Sequence, residues 1–160
     1  MTTAALAAAL PWLSALLIGF LFLYPLMDAT RHLFKPQSVE EIRPVIEYLE
    51  KHRSEGDIPY VYYSSAPSFE YYKRRGLIGQ MNQITGVDSR QNWSSYREDL
   101  DRLRGERRVW ILFSHVYRAG GVDEELLFLD YLDRVGRRLD GFRAFGASVY
   151  LYDLSTQGRP

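Results

Sequence analysis

The amino-terminal 27 residues contain no charged side chain, and every Asp, Glu, Lys and Arg of the 160-residue chain follows them. Residues 4–27 form a 24-residue run that is almost entirely apolar. As an α-helix this run would extend about 36 Å, which exceeds the roughly 30 Å hydrocarbon core of a bilayer. Trp12 and Tyr24 lie near its two ends, where aromatic side chains favour the membrane interface. The pattern predicts a transmembrane helix over residues 1–27.

Two alternatives to a membrane helix fit this segment less well. A cleaved signal peptide has a basic start and small residues at its cleavage site. This chain begins Met-Thr-Thr and the apolar run ends Leu-Met-Asp. A buried core helix would need more surrounding chain than the remaining sequence supplies. A further hypothesis is that the helix is the last span of a larger membrane protein whose earlier part is absent from this sequence.

The rest of the chain has the composition of one globular domain. It carries 20 basic and 20 acidic side chains, so its net charge is zero and argues against a nucleic-acid partner. There is no cysteine, which excludes disulfides, thiolate catalysis and zinc–thiolate sites. The three histidines, His32, His52 and His115, lack metal-ligand spacing. We therefore predict no metal and no cofactor.

Helical and strand patterns alternate after the apolar segment. Residues 28–37, with Arg31, His32 and Lys35, are predicted to be a connector beside the membrane. An α/β domain is predicted over residues 38–154, followed by a disordered tail over residues 155–160. Each of the four predicted helices begins with a capping residue, namely Ser38, Ser68, Ser95 and Asp123. The predicted helices are Ser38–His52, Phe69–Arg75, Ser95–Gly105 and Asp123–Leu139, and the predicted strands are Ile58–Ser65, Gln83–Val87, Arg108–Val116 and a hairpin over Phe142–Leu154.

The strand segments are apolar on both faces, which is typical of a sheet covered by helices on each side. The predicted fold class is therefore α/β. In detail, we expect a small Rossmann-like three-layer domain with a mostly parallel sheet and a C-terminal antiparallel hairpin at its edge.

Polar side chains follow the predicted strands at their carboxyl ends, where open α/β sheets bind ligands. The usual nucleotide-binding and nucleophile motifs are absent from the sequence. Hydroxyl, imidazole, carboxylate and tyrosine groups suit a sugar or another polar headgroup. The alternative is that these groups only cap helices and pack in the core. The candidate ligand-binding residues are Ser64, Ser65, Glu70, Tyr72, Ser114, His115 and Tyr117.

No catalytic residue is predicted. Ser114 and His115 are adjacent in a predicted strand, so their side chains should point to opposite faces and not act as nucleophile and base.

Three segments, Glu40–Tyr72, Arg107–Tyr117 and Leu132–Leu154, resemble the C-terminal soluble domain of bacterial polytopic glycosyltransferases of the GT-C class. That class is related to protein mannosyltransferases and aminoarabinose transferases and uses polyprenyl-phosphate-linked sugars. The resemblance implies a last transmembrane helix followed by a small α/β domain. It also implies that the catalytic acidic residue lies in a loop far upstream, which this chain does not contain. We therefore expect a membrane-anchored, non-catalytic accessory domain.

The side of the membrane is predicted differently by charge and by resemblance. Basic residues follow the apolar segment and none precede it, which places the domain in the cytoplasm by the positive-inside rule. The resemblance implies an extracytoplasmic domain on the inner membrane, and we take that as the expectation. The expected partners are the lipid bilayer and a polyprenyl-phosphate sugar or an acceptor glycan or protein. The alternative functions are a single-pass membrane protein whose domain binds another protein, with no glycan role, and an independent enzyme.

Overall fold

A computed structural model of the chain describes residues 18–21, 23, 41–90 and 92–155. The chain divides into two compact units, Met1–Ser38 and Val39–Pro160.

The predicted membrane segment and tail lie largely outside the described residues. Of the predicted span over residues 1–27, residues 18–21 and 23 are described, and they are helical. No helix within the described residues has the length and apolarity needed to cross a membrane. The predicted connector, residues 28–37, and residues 156–160 of the predicted tail lie outside the described part. The membrane helix therefore stays a prediction.

The second unit alternates helices and strands. Its α-helices are α1 (Ile42–His52), α2 (Ala66–Arg74), α3 (Trp93–Asp101) and α4 (Glu124–Val135), and a 3₁₀ helix spans Tyr63–Ser65. Its strands are β1 (Ile58–Val61), β2 (Ile84–Thr85), β3 (Val109–Ser114), β4 (Arg118–Ala119), β5 (Val122–Asp123), β6 (Arg137–Ala144) and β7 (Ala147–Asp153). The predicted α/β class is confirmed.

Five strands form one sheet in the order β2-β1-β3-β7-β6, and β4 and β5 form a separate two-stranded ribbon. Strand β1 lies parallel to both β2 and β3. Strand β7 lies antiparallel to β3 and to β6. The prediction of a mostly parallel sheet is wrong, because the hairpin inserts β7 beside β3 and makes half of the pairings antiparallel. The prediction of a C-terminal antiparallel hairpin with an edge strand is confirmed.

Each face of the sheet is covered by two helices. Alternate residues of one strand point to opposite faces, so Val61 packs under α1 and α2 while Tyr60 and Tyr62 pack under α3 and α4. We call the first side the aliphatic face. Its buried residues are Ile42, Val45, Ile46, Leu49, Val61, Phe69, Ile78, Trp110, Leu112, Ala147, Val149 and Leu151.

We call the second side the tyrosine face, because six of its buried residues are tyrosines. Its buried residues are Tyr60, Tyr62, Tyr96, Leu100, Leu103, Val109, Ile111, Phe113, Phe128, Leu129, Tyr131, Leu132, Tyr150, Tyr152 and Leu154. Phe128 of α4 lies at its centre, with its ring 5.0 Å from that of Tyr96 and 5.7 Å from that of Phe113.

Helix ends depend on which polar side chain caps them. The Asn92 side chain accepts a hydrogen bond from the Ser95 backbone N–H at 3.3 Å, so α3 begins at Trp93 and the predicted cap at Ser95 is wrong. The predicted cap at Asp123 is confirmed, since its carboxylate accepts from the Leu126 N–H at 3.3 Å. Helix α4 ends at Val135, not at Leu139, because the chain turns at Gly136 into β6.

Candidate functional site

Strands β1 and β3 form a topological switch point. They are parallel neighbours, yet the helix that follows β1 packs on the aliphatic face and the helix that follows β3 packs on the tyrosine face. Chains that leave two adjacent strands in opposite directions open a crevice, and open α/β sheets bind ligands there. We call this end of the sheet the carboxyl edge: the ends of β1, β2 and β3, the loops and first helical turns that follow them, and the β6–β7 turn, which lies beside the end of β3 because Ala147 pairs with Ser114.

The predicted serines meet at the carboxyl edge. The Ser64 hydroxyl donates to the His115 carbonyl at 3.1 Å. The Ser65 hydroxyl donates to the Ser114 carbonyl at 3.0 Å and accepts from the Ser114 backbone N–H at 2.6 Å. These bonds arise because the chain leaves β1 after Val61 and turns into the 3₁₀ helix. The strand predicted to end at Ser65 is therefore too long, since β1 ends at Val61. The two serines bind the loop after β1 to the end of β3.

His115 adopts a backbone conformation that side-chain-bearing residues rarely take. Its φ is +53°, the one positive φ of a non-glycine residue within the described part of the chain. Its Nδ1 lies 3.3 Å from the Ser114 hydroxyl. The prediction that the two side chains point to opposite faces is wrong, because β3 ends at Ser114. Ser114 is fully buried, so no substrate reaches its hydroxyl as it stands.

An arginine lies between two tyrosine rings on the surface of the carboxyl edge. The Arg90 guanidinium carbon is 5.5 Å from the ring centre of Tyr63 and 5.3 Å from that of Tyr117. Its Nε donates to the Tyr63 hydroxyl at 2.8 Å. Cation–π contacts of this kind hold the guanidinium in one place on the surface. Tyr117 was predicted as a site residue, whereas Arg90 carries no signal in the sequence that marks it.

A buried carboxylate lies beneath this surface. Glu124 accepts hydrogen bonds from the hydroxyls of Tyr62 and Tyr96, the latter at 3.1 Å, and a longer one from Tyr63 at 3.4 Å. Burial and the bond to Glu124 raise the pKa of Tyr62, and burial, Tyr63 and Glu124 raise the pKa of Tyr96. Both hydroxyls therefore stay protonated and act as donors.

Sequence reasoning missed Glu124. The available signal was its position in the first turn of α4, where carboxylates are favoured by the helix dipole, but that signal does not identify the tyrosines that bind it.

Two predicted site residues lie elsewhere. Glu70 on α2 accepts a hydrogen bond from the Gln83 side-chain amide. Tyr72, also on α2, packs against the aliphatic face. Helix α2 leads away from the end of β1, so its later residues do not share the carboxyl edge with Ser64 and His115. The structure thus brings five of the seven predicted residues to one edge and leaves these two apart.

An open pocket of about 390 Å³ lies beside α3, next to the end of β2. Its lining carries three carboxylates and one cation. The lining residues are Val87, Asp88, Ser89, Ser95, Glu98, Asp99 and Arg102.

Asp99 forms the buried part of that pocket. It accepts from the Tyr60 hydroxyl at 2.7 Å and from the Val87 N–H at 3.1 Å, and it pairs with Arg102. Gly86 allows this arrangement, since a Cβ at that position would lie 2.4 Å from the Tyr60 hydroxyl. Asp88 lies 3.8 Å from Arg90, so the pocket and the arginine–tyrosine surface share one loop.

The residues that the structure describes include no group of three or more metal-ligating side chains. Comparison with known protein families, with curated proteins and with solved structures finds no match to this chain. The resemblance to GT-C glycosyltransferases therefore stays a prediction.

Proposed function

We propose that this chain is the membrane-anchored, non-catalytic α/β domain of a glycosyltransferase-like membrane protein of the GT-C type. Its role is to bind the sugar-phosphate part of a polyprenyl-phosphate sugar, or the corresponding group of an acceptor, at the carboxyl edge. The finer description of the fold as Rossmann-like belongs to the same proposal, as does an extracytoplasmic location on the inner membrane.

One observation carries the binding site: the Tyr63–Arg90–Tyr117 surface lies at the switch point of β1 and β3. Aromatic rings offer apolar faces to sugar rings, and a fixed guanidinium binds phosphate through paired N–H groups. The adjoining pocket adds carboxylate and serine oxygens that accept and donate to sugar hydroxyls. Together these groups match a ligand that is hydroxyl-rich and carries a phosphate.

The burial and hydrogen bonds of the two nearby acids favour ligand binding over catalysis as the role of this site. Asp99 and Glu124 are both buried, and each already accepts hydrogen bonds from tyrosine hydroxyls. A general acid or base has to reach a proton on the substrate. Side chains enclosed in this way stabilise the site's shape and leave recognition to the exposed groups above them.

In the test, the full chain is placed in lipid nanodiscs that also contain polyprenyl-phosphate sugar. Binding is measured as the amount of that sugar in the nanodiscs is raised. Arg90→Ala should weaken binding at least about 10-fold, the loss of about 1.4 kcal/mol expected for one charged contact. Tyr117→Ala should also weaken binding, because the ring that contacts the guanidinium is lost. The matched control is Arg75→Ala, because Arg75 lies 5.6 Å over the Tyr71 ring in a similar pair at the far end of α2.

Equal binding by all three variants, or no binding by the unmodified chain, would reject the proposed site. Absence of sugar binding together with a stoichiometric protein partner would instead support the alternative of a protein-interaction domain.

A further inference from the structure

Exposed apolar side chains are concentrated at the carboxyl edge. Seven large hydrophobic residues are exposed within residues 41–155 as far as the structure describes them. Five of the seven belong to this edge. The five are Val87, Val122, Leu126, Leu127 and Phe145, and the other two are Tyr71 and Leu139.

Topology explains why these five share one end of the sheet. Val87 follows the end of β2. Val122 and the two leucines follow the end of β3, in β5 and the first turn of α4. Phe145 lies in the turn between β6 and β7, and that turn is beside the end of β3 because Ala147 pairs with Ser114. Large exposed apolar patches mark contact surfaces, since water disfavours them.

The chain enters the domain at the same edge. The Glu41 backbone N–H donates to the Phe145 carbonyl at 2.7 Å, which fixes the start of α1 beside the hairpin turn. In the sequence, 13 residues (28–40), which include the predicted connector 28–37, separate Glu41 from the charge-free segment 1–27. A connector of that length reaches at most about 45 Å when fully extended. The first described residue after the predicted membrane helix therefore lies at the carboxyl edge.

Two exposed arginines at this edge suit a lipid surface, and each also lies within 4 Å of a carboxylate, Asp88 for Arg90 and Glu125 for Arg143. Arg90 and Arg143 both have side chains that are more than half exposed, and Arg143 lies two residues from Phe145. Apolar side chains that enter the headgroup region beside arginines are typical of interfacial binding.

We propose that the carboxyl edge lies on the lipid headgroup layer, with Phe145 and Leu126 inserted at its boundary with the acyl chains. The Tyr63–Arg90–Tyr117 surface then faces the bilayer, so its ligand is a lipid-linked headgroup and not a freely diffusing sugar. This inference depends on the membrane anchoring in the proposed function, but it does not depend on sugar being the ligand.

The absence of cysteine allows a direct test with single nitroxide labels. Phe145→Cys and Leu126→Cys place labels at positions that are 70% and 59% exposed. The matched control is Leu139→Cys, a 41% exposed leucine at the opposite end of β6, near the start of β3. Each full-length variant is placed in nanodiscs of anionic phospholipid, and collisions with oxygen and with a water-soluble nickel chelate are compared by power saturation.

The labels at positions 145 and 126 should favour oxygen over nickel several-fold relative to the label at 139. Equal nickel accessibility at all three positions overturns the inference. A label from Leu16→Cys, within the predicted span, separates the two proposals. If it is shielded from nickel while 126 and 145 are not, only the inference fails. If it is also accessible to nickel, the membrane anchoring fails and the inference with it. Lipid contact at 126 and 145 without sugar binding supports the inference and rejects the sugar ligand.

Discussion

The two faces of the sheet are built from different chemistry. Within the described residues, the aliphatic face is mainly Ile, Val and Leu. Two carboxylates contact it: Asp57 accepts from the Trp110 indole N–H at 2.7 Å, and Asp140 accepts from the Tyr48 hydroxyl at 2.9 Å. The tyrosine face carries Asp99, Glu124 and Glu125, and each of them accepts hydrogen bonds from tyrosine hydroxyls. The two faces therefore differ in their buried acids: the tyrosine face contains three buried carboxylate residues, and each of them is bound by tyrosine hydroxyls.

This difference shows how a chain encloses acids without losing their hydrogen bonds. A buried carboxylate is costly unless donors surround it, and a tyrosine supplies a donor together with a large apolar ring. Glu125 illustrates the arrangement, accepting from Ser148 at 2.7 Å and Tyr150 at 3.0 Å while Arg118 approaches from the surface at 2.8 Å. The tyrosine face is therefore the one whose buried acids are held by several directional bonds.

The largest expected difference between the faces appears in alkali. Burial, reinforced for several of them by a nearby carboxylate, raises the pKa of Tyr60, Tyr62, Tyr96, Tyr150 and Tyr152. Because these pKa values are higher in the folded state, the free energy of unfolding keeps its full value below the unfolded tyrosine pKa of about 10, and it falls as the pH rises above that value. Each such tyrosine should lower stability by about 1.4 kcal/mol per pH unit above that value.

Tyrosinate absorbance and far-ultraviolet circular dichroism, recorded together during alkaline titration, test this expectation. Both signals should change in one transition, and Tyr60→Phe should reduce its proton dependence by about one proton. Tyrosinate that forms while the dichroism stays native would show that the tyrosine face does not depend on protonated hydroxyls.

The next largest effect is expected from removing one acceptor. Glu124→Leu leaves the buried hydroxyls of Tyr62 and Tyr96 without their carboxylate, which should cost about 4 kcal/mol in the free energy of unfolding. On the other face, Leu49→Ala should cost about 3 kcal/mol through the cavity it leaves. Urea unfolding measures both values.

Second-site substitutions distinguish the loss of a hydrogen-bond acceptor at Glu124 from the cavity left at Leu49. Adding Tyr62→Phe and Tyr96→Phe to Glu124→Leu should recover at least about 1 kcal/mol, because the orphaned donors are removed. The same two changes should not rescue Leu49→Ala. If Glu124→Leu costs less than about 1 kcal/mol, the network on the tyrosine face is not needed for stability.

The smallest effect is expected at Asp57, the carboxylate bound to Trp110 of the aliphatic face. Burial acts to raise the pKa of Asp57, but hydrogen bonds from Arg108, the Ser54 N–H and Trp110 outweigh it and lower that pKa. The stabilisation from ionised Asp57 is complete above its unfolded pKa of about 3.9, and it is lost as the pH falls through the lower folded pKa. Asp57→Asn should therefore cost about 2 kcal/mol at neutral pH and flatten the acid side of the stability profile.

Urea unfolding between about pH 2 and pH 7 provides the measurement. Asp130→Asn is the control, because its exposed pair with Arg134 should contribute less than about 0.5 kcal/mol. An acid profile that is unchanged in Asp57→Asn would contradict the role assigned to Asp57.

Local sequence patterns predicted those parts of the fold that depend on neighbouring residues. The strand predicted over Arg108–Val116 is β3, Val109–Ser114, because six consecutive buried residues have strand-forming side chains. The cap at Asp123 was predicted because a cap needs only the three residues that follow it. Leu139 was assigned to the wrong element because helical spacing continues past Gly136, where the chain turns into β6.

The candidate site was less predictable. Proximity to strand ends was enough to select Ser64, Ser65 and His115. It was not enough to exclude Glu70, whose helix leads away from the edge, or to find Arg90, whose partners lie 27 residues away in sequence. Those positions depend on loop paths, and loop paths depend on how elements pack.

By itself the sequence determined the alternation of helices and strands, the α/β class and the terminal hairpin, because hydrophobic period and turn chemistry act over a few residues. It also set the charge-free first segment apart from a charged, cysteine-free remainder. Only the tertiary structure decided that β1 lies between β2 and β3 and that Tyr62 meets Glu124 across 62 positions of the chain. It likewise decided that five exposed apolar side chains share one edge with the entry of the chain. The physical reason is that strand order and packing join residues that no local pattern relates.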